Sequence, residues 1–155
     1  PRDPQGRVDP AIRFRPIAHL AQIVVARRGH PLAQARTAAA LDGRDWVSNL
    51  RRAVATEHLH AAGVPSTRQV IERESFGALA ALLAESDLLA VVQHPFLALP
   101  QVGTALQEVR IAERLPGLAV GLHTRADAPL TRPAAALAKL LVEIGRKVLQ
   151  DPAAR

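Results

Sequence analysis

In Ile23-Val24-Val25-Ala26-Arg27-Arg28-Gly29-His30-Pro31-Leu32-Ala33 a β-branched apolar run ends abruptly in Arg-Arg-Gly and a His-Pro turn. Side chains of that kind favour a pleated, packed surface, so the first four residues read as a buried strand. The strand surfaces through polar residues, and Pro31, which has no N–H to give a neighbouring strand, stops it.

Outward from that strand, apolar runs of strand length alternate with helical patterns. Ile12 to Ile17 and Gln22 to Ala26 read as strands, and Thr37 to Leu41 as a short helical turn ended by Asp42-Gly43. Asp45-Trp46-Val47 is a short strand running into Ser48-Asn49, two good helix N-caps. The helix that follows carries Leu50, Val54, His58 and Ala61 on one stripe and stops at Gly63, with Pro65 just beyond. Gln69-Val70-Ile71 is the next strand, after which Ser75 caps a helix over Phe76 to Ala84. That helix has almost no polar face, so burial is expected. Leu88-Leu89-Ala90-Val91-Val92 is apolar without alternation, as a central parallel strand covered on both faces would be. Weaker strands follow at Leu106 to Arg110 and Leu118 to Leu122. A last helix starts near Thr131 with Pro133 in its first turn and an apolar stripe of Leu137, Leu140, Leu141, Ile144 and Val148. This β-α-β-α-β rhythm predicts an α/β fold with a mainly parallel sheet flanked by helices.

Composition narrows the function. The 155 residues suit one domain, or two small lobes sharing a connection. The chain is 48% apolar but holds only four aromatic residues, Phe14, Trp46, Phe76 and Phe96, so its core is aliphatic. Without cysteine there are no disulfides, no thiolate chemistry and no Cys-ligated zinc. A chain that opens on Pro and has no Met reads as a fragment or a processed chain. It shows no export leader, and no apolar run long enough for a membrane span, so no membrane partner is expected. The net charge of +6 comes from scattered arginines, whereas a nucleic-acid groove gathers basic residues on one face with aromatics to stack bases. The reading is a solvated basic surface compatible with a small anionic ligand. Neither a nucleophile elbow nor a phosphate-cradling or dinucleotide-binding glycine loop occurs, so no enzyme activity and no cofactor are expected. His58 and His60 lie two apart on a helix, where their rings diverge and do not chelate one metal; no metal site is expected.

The strand followed by Arg-x-Gly-His-Pro-Leu-Ala, together with the order of elements after it, resembles the effector-binding domain of LysR-type transcriptional regulators. Trp46-Val47, the helix to Ala62, Val70-Ile71, the Phe76–Ala84 helix and Leu88–Val92 are similar to that family's second subdomain. Leu118 to Leu122 and Ala128-Pro129-Leu130-Thr131 resemble its closing strand and the run into its last helix. Gly6-Arg7-Val8-Asp9-Pro10-Ala11-Ile12 looks like the remnant of the stretch closing the first subdomain, and the family's helix-turn-helix has no counterpart. The glycine-rich phrase usual before the buried strand is Glu85-Ser86-Asp87-Leu88 here.

The resemblance implies a periplasmic-binding-protein-like (type II) effector domain with its first subdomain incomplete. Residues 1–33 would be the remnant of the first subdomain with the crossover strand, 34–124 the second subdomain, and 125–155 the returning segment and C-terminal helix. It implies a cytoplasmic, homo-oligomeric protein (dimer or tetramer) that meets DNA only through an N-terminal domain absent from this sequence. The small-molecule effector, often anionic in this family, would be lined by Ala26, Arg27, Ser48, Asn49, Arg51, Glu74, Ser75 and Phe76. Physically, helix N-termini attract anions through unpaired N–H groups. Arg27 or Arg51 would supply a full positive charge, and Glu74 would need offsetting. Ser48 and Ser75 would also be chosen as N-caps with no ligand at all, and His30 reads as a turn residue bonded to backbone. The rival reading is a solute-binding protein of a transport system.

Overall fold

The computed structural model describes residues 9–149, which divide into two compact units, one of residues 21–117 and one of residues 9–20 with 118–149. The chain passes from one unit to the other between Leu20 and Ala21 and again between Gly117 and Leu118. The His-Pro strand and its turn belong wholly to the first of these units.

In the 21–117 unit the strands are β2 (Gln22–Arg27), β3 (Arg44–Ser48), β4 (Thr67–Glu72), β5 (Ala90–Gln93) and β6 (Leu106–Val109), numbered after a first strand in the other unit. β2 lies between β5 and β6 and is antiparallel to both. β3 and β4 are parallel, and a parallel bridge of Trp46 to Leu89 joins β3 to the residue preceding β5. Four of the five strands thus run the same way and β2 runs against them. The mainly parallel expectation is met only in part, by the β3–β4 ladder and the Trp46–Leu89 bridge, while both ladders of β2, including its pairing with β5, are antiparallel. Chain connectivity accounts for this. Helices α1 (Arg52–Ala61) and α2 (Phe76–Ala84) carry the chain back over the sheet before the next strand begins. Between β2 and β3 there is only a 3-10 turn, Ala38–Leu41, so the chain reverses.

The sheet is covered on both faces. Val24, Ala26, Trp46 and Val70 face one core with Ala55 and Leu59 of α1, whereas Ile23, Val25, Val47 and Ala90 face the other with Leu79 and Leu83 of α2. The unbroken apolar run from Ile23 to Ala26 follows from burial on both sides. The α1 stripe is shifted by one position from the expected one. Ala55, Leu59 and Ala62 are buried, while Leu50, Val54 and His58 are not. α1 ends in a Schellman motif: Val64 N–H donates to Leu59 O at 3.0 Å and Gly63 N–H to His60 O at 2.9 Å, with Gly63 at φ 87°. α2 is half-buried rather than enclosed. Leu79 and Leu83 are covered, whereas Gly77, Ala78 and Ala81 face outward, small enough that no polar face is needed. A short helix α3 (Pro100–Gly103) precedes β6.

In the other unit β1 (Ile12–Leu20) pairs antiparallel with β7 (Leu118–Arg125), and α4 (Arg132–Leu149) packs on β1. α4 meets the strand through its small residues. Val142 is buried, and a Cβ added at Gly145 would lie 3.0 Å from Ile17. The predicted apolar stripe, Leu137, Leu140, Leu141, Ile144 and Val148, stands 45–58% exposed.

Candidate functional site at the end of the parallel strands

β3 and β4 end side by side, Ser48 opposite Glu72, and both helices start from this end of the sheet. The local chemistry differs from the N-cap expectation at one of the two starts. Ser48 Oγ accepts from Leu50 N–H at 3.0 Å, closing a turn before the helix, and α1 begins only at Arg52. Its cap position is Arg51, whose side chain makes no capping bond. The donor at Arg52 is met instead by the Glu72 carboxylate, which accepts it at 2.8 Å from the neighbouring strand. At α2 the expectation holds: Ser75 Oγ accepts from Ala78 N–H at 3.4 Å. Asn49, Glu74 and Phe76 are exposed beside these turns, and the Phe76 ring lies 5.8 Å from that of Phe96.

Ser48 and Ser75 belong to opposite faces of the sheet. Ser48 shares strand parity with Trp46 and lines a pocket with Ala55, His58 and Leu59 of α1, while Ser75 caps the helix on the other face. The pocket that Ser48 lines does not include Ser75. Ala26 and Arg27 are further removed. β2 runs antiparallel to β5, which sets Gln22 beside Gln93 and carries Arg27 to the far end of the sheet. Ala26 is fully buried, and Arg27 is held by Asp87 through Nε at 2.9 Å and Nη2 at 2.6 Å.

Two further residues of the Arg-Arg-Gly-His-Pro segment, Arg28 and His30, are tied to backbone. Arg28 donates to the carbonyls of Thr104 at 2.9 Å and Gly103 at 2.7 Å, tying down the chain that leaves α3. His30 is 5% exposed; its Nδ1 accepts from Leu32 N–H at 2.9 Å and its Nε2 faces Asp87 O at 3.1 Å. Since Nδ1 accepts, the neutral ring carries its proton on Nε2 and donates it to the carbonyl. A groove of about 400 Å³ next to this turn is lined by His30, Arg44, Asp45, Arg68 and Asp87. The forked hydrogen bond from Arg68 holds the Asp45 carboxyl below its usual range, against the opposing effect of burial, and the arginine is raised in turn. Likewise Arg125 lowers Asp127 in the other unit.

Sequence reasoning missed a small pocket of about 30 Å³ between β3 and α1, lined by Gln22, Trp46, Ser48, Ala55, His58 and Val91 among others. Its signal was the period-two alternation of the strand, which puts Trp46 and Ser48 on one face. The Glu72 cap left no local signal, because it acts across 20 residues of chain. Among the described residues no group of three or more His, Asp or Glu side chains is placed to hold a metal, and no helix is long and apolar enough to cross a membrane.

A family model described as the LysR substrate binding domain matches residues 2–146 of this chain. No curated protein sequence matches it. Among solved structures the chain is similar to the CcmR regulatory domain of Synechocystis PCC6803 in complex with 2-PG, at 20% identity and TM-score 0.70, over 97% of this chain and 72% of that one. It is also similar to the effector-binding domain of QuiR in complex with shikimate, at 15% identity and TM-score 0.66, over 90% of this chain and 68% of that one. The regulatory domain of MetR, from N. meningitidis, aligns at 15% identity and TM-score 0.70, over 92% of this chain and 68% of that one. At such identities the likeness is one of fold.

Proposed function

The chain belongs to the LysR substrate-binding domain family, and from that premise we propose that it is the small-molecule effector-sensing domain of a bacterial LysR-type transcription regulator. The family match over residues 2–146 is the observation that carries the reading. The domain binds and signals rather than catalyses. It works in the cytoplasm as part of a homo-oligomer, and DNA is contacted by a separate N-terminal domain of the regulator. The effector is a small, anionic molecule of the general size of 2-PG or shikimate, the ligands of two structural relatives.

On the 21–117 unit we assign its contacts to the end of β3 and β4, either from Ser48, Asn49 and Arg51 before α1 or from Glu74, Ser75 and Phe76 at the start of α2. Arg51 supplies the positive charge there, since Arg27 is paired with Asp87 at the other end of the sheet. Because Ser48 and Ser75 sit on opposite faces, one small effector engages one helix start or the other. Effector binding acts by population shift: a ligand that prefers one geometry of the regulator stabilises that geometry by its differential affinity. Carrying the regulator from about 1:99 to 99:1 takes a preference of roughly 10⁴-fold.

Thermal-shift titration against a panel of small carboxylates and phosphates tests this. A true effector at about 100 times its Kd stabilises the fold by about 2.7 kcal/mol, and Arg51→Ala weakens that response. An inert panel, with a coding region upstream that specifies an export leader in place of a winged helix-turn-helix, would instead establish the transport reading.

A further inference from the structure

α4 has two apolar faces, and β1 covers one of them. Val142 is buried and Gly145 lies against Ile17, with Ala134, Ala138 and Leu149 half-buried on the same side. Leu137, Leu140, Leu141, Ile144 and Val148 lie about 100° further round the helix and stand 45–58% exposed. A helix that only packs on a sheet needs a single apolar stripe, and an open patch of this size marks an interaction surface. Leu137, Leu141, Ile144 and Val148 are spaced four, three and four residues apart, the alternation of a coiled-coil seam. That spacing reads the same in both directions. Turned end for end about a point between Leu141 and Ile144, a second α4 lays Val148 against Leu137 and Ile144 against Leu141. Every position of the seam then meets an apolar partner. Charge favours this direction too, because Arg146 and Lys147 crowd the last turn of α4. A parallel pair would bring both basic ends together. The antiparallel pair sets the two Lys147 positions about 13 Å apart along the axis, beyond the screening length at physiological salt, and opposes the helix dipoles.

We propose that the leucine face of α4 is a self-association surface, on which two copies of this chain pair antiparallel about a two-fold axis between Leu141 and Ile144. Five half-open side chains on each copy bury an area of the order of 1,000 Å² in total, the low end for a specific interface, so the dimer is weak and reversible. The proposal rests on the homo-oligomer of the functional reading and names its surface. It involves no effector contact, so its failure leaves the effector-sensing reading standing.

Sedimentation equilibrium of the whole chain, from about 5 μM to about 500 μM, should show the mass rising from monomer to dimer. Because the contact is apolar, raising the salt should preserve or strengthen it. Leu141→Gln and Ile144→Glu, both at exposed positions, should each weaken the dimer tenfold or more with the helical far-ultraviolet signal of the monomer kept. Leu99→Gln, at an equally exposed leucine outside α4, should leave it unchanged. The chain has no cysteine, which makes direction testable. Under oxidation a mixture of Leu137→Cys and Val148→Cys chains should cross-link to each other, and neither variant should cross-link to itself, its two copies lying about 16 Å apart along the axis. A chain that stays monomeric throughout overturns the proposal and leaves the stripe to another kind of partner. A dimer that Leu141→Gln and Ile144→Glu both leave intact, or self-cross-linking of each single-cysteine variant, overturns it as well.

Discussion

Both ring nitrogens of His30 are engaged by backbone, one by the Leu32 amide and one by the Asp87 carbonyl, 57 residues away in sequence. The residue that most marks the family in this sequence is therefore a fastener between the end of β2 and the approach to β5. Replacing it by alanine strands a buried amide and a carbonyl, and His30→Ala should cost about 1–3 kcal/mol, read as a fall in the urea midpoint. The turn-and-backbone reading of this histidine was available from its place before Pro31; the remote carbonyl was not, since nothing near residue 30 points to Asp87. Asp45 makes a different kind of pair. Its carboxyl is lowered by Arg68 in the folded chain, so the stabilisation it gives is present above the unfolded value of about 3.9 and is lost as pH falls through the lower folded value. Urea midpoints measured from about pH 5 down to pH 3 should decline less steeply in Asp45→Asn than in the parent chain; equal slopes would remove the pair from the acid response. Arg68 is exposed, so solvent keeps the effect small.

At the scale of elements, α1 and α2 show what a one-dimensional pattern can and cannot carry. The bounds of α2 and its Ser75 cap were legible because both depend on neighbours in sequence. Which turn of α2 is buried was not legible, since Leu79, Leu82 and Leu83 look alike until the sheet chooses a face. The choice has measurable weight: Leu83→Ala should cost about 2–5 kcal/mol, and Leu82→Ala, at a half-buried position, distinctly less. In α1 the cap lies on another strand. Glu72→Ala should therefore destabilise by about 0.5–2 kcal/mol, as loss of an N-cap does, although residue 72 is outside the helix. Ser48→Ala should leave the start of α1 intact, because Ser48 bonds Leu50 and not the first turn. Helical far-ultraviolet signal and urea midpoint of the two variants separate these roles.

Across the whole molecule, the +6 charge resides on arginines spread over both units, so any hold on DNA by this chain alone should be non-specific and disappear at physiological salt in a gel shift. A retarded band that survives both salt and a scrambled competitor would contradict that. Local stability should be uneven as well. β2, β5 and β6 sit in a sheet buried on both faces, whereas β1 and β7 form a two-stranded ladder under a helix whose leucines stand open. Amide hydrogen exchange should be slowest at Val24 and Val25 and faster by orders of magnitude along β1 and β7. The element order that made the family recognisable was legible over both units; how well each is covered was not, because apolar residues at helical spacing do not say whether anything packs against them. The lone tryptophan adds an optical consequence. Trp46 sits in the 21–117 unit and α4, the longest helix, in the other. Its emission thus reports melting of one unit, while circular dichroism at 222 nm draws on both. If the units melt separately the two signals will give different midpoints, and a transition temperature taken from fluorescence alone will describe only part of the chain.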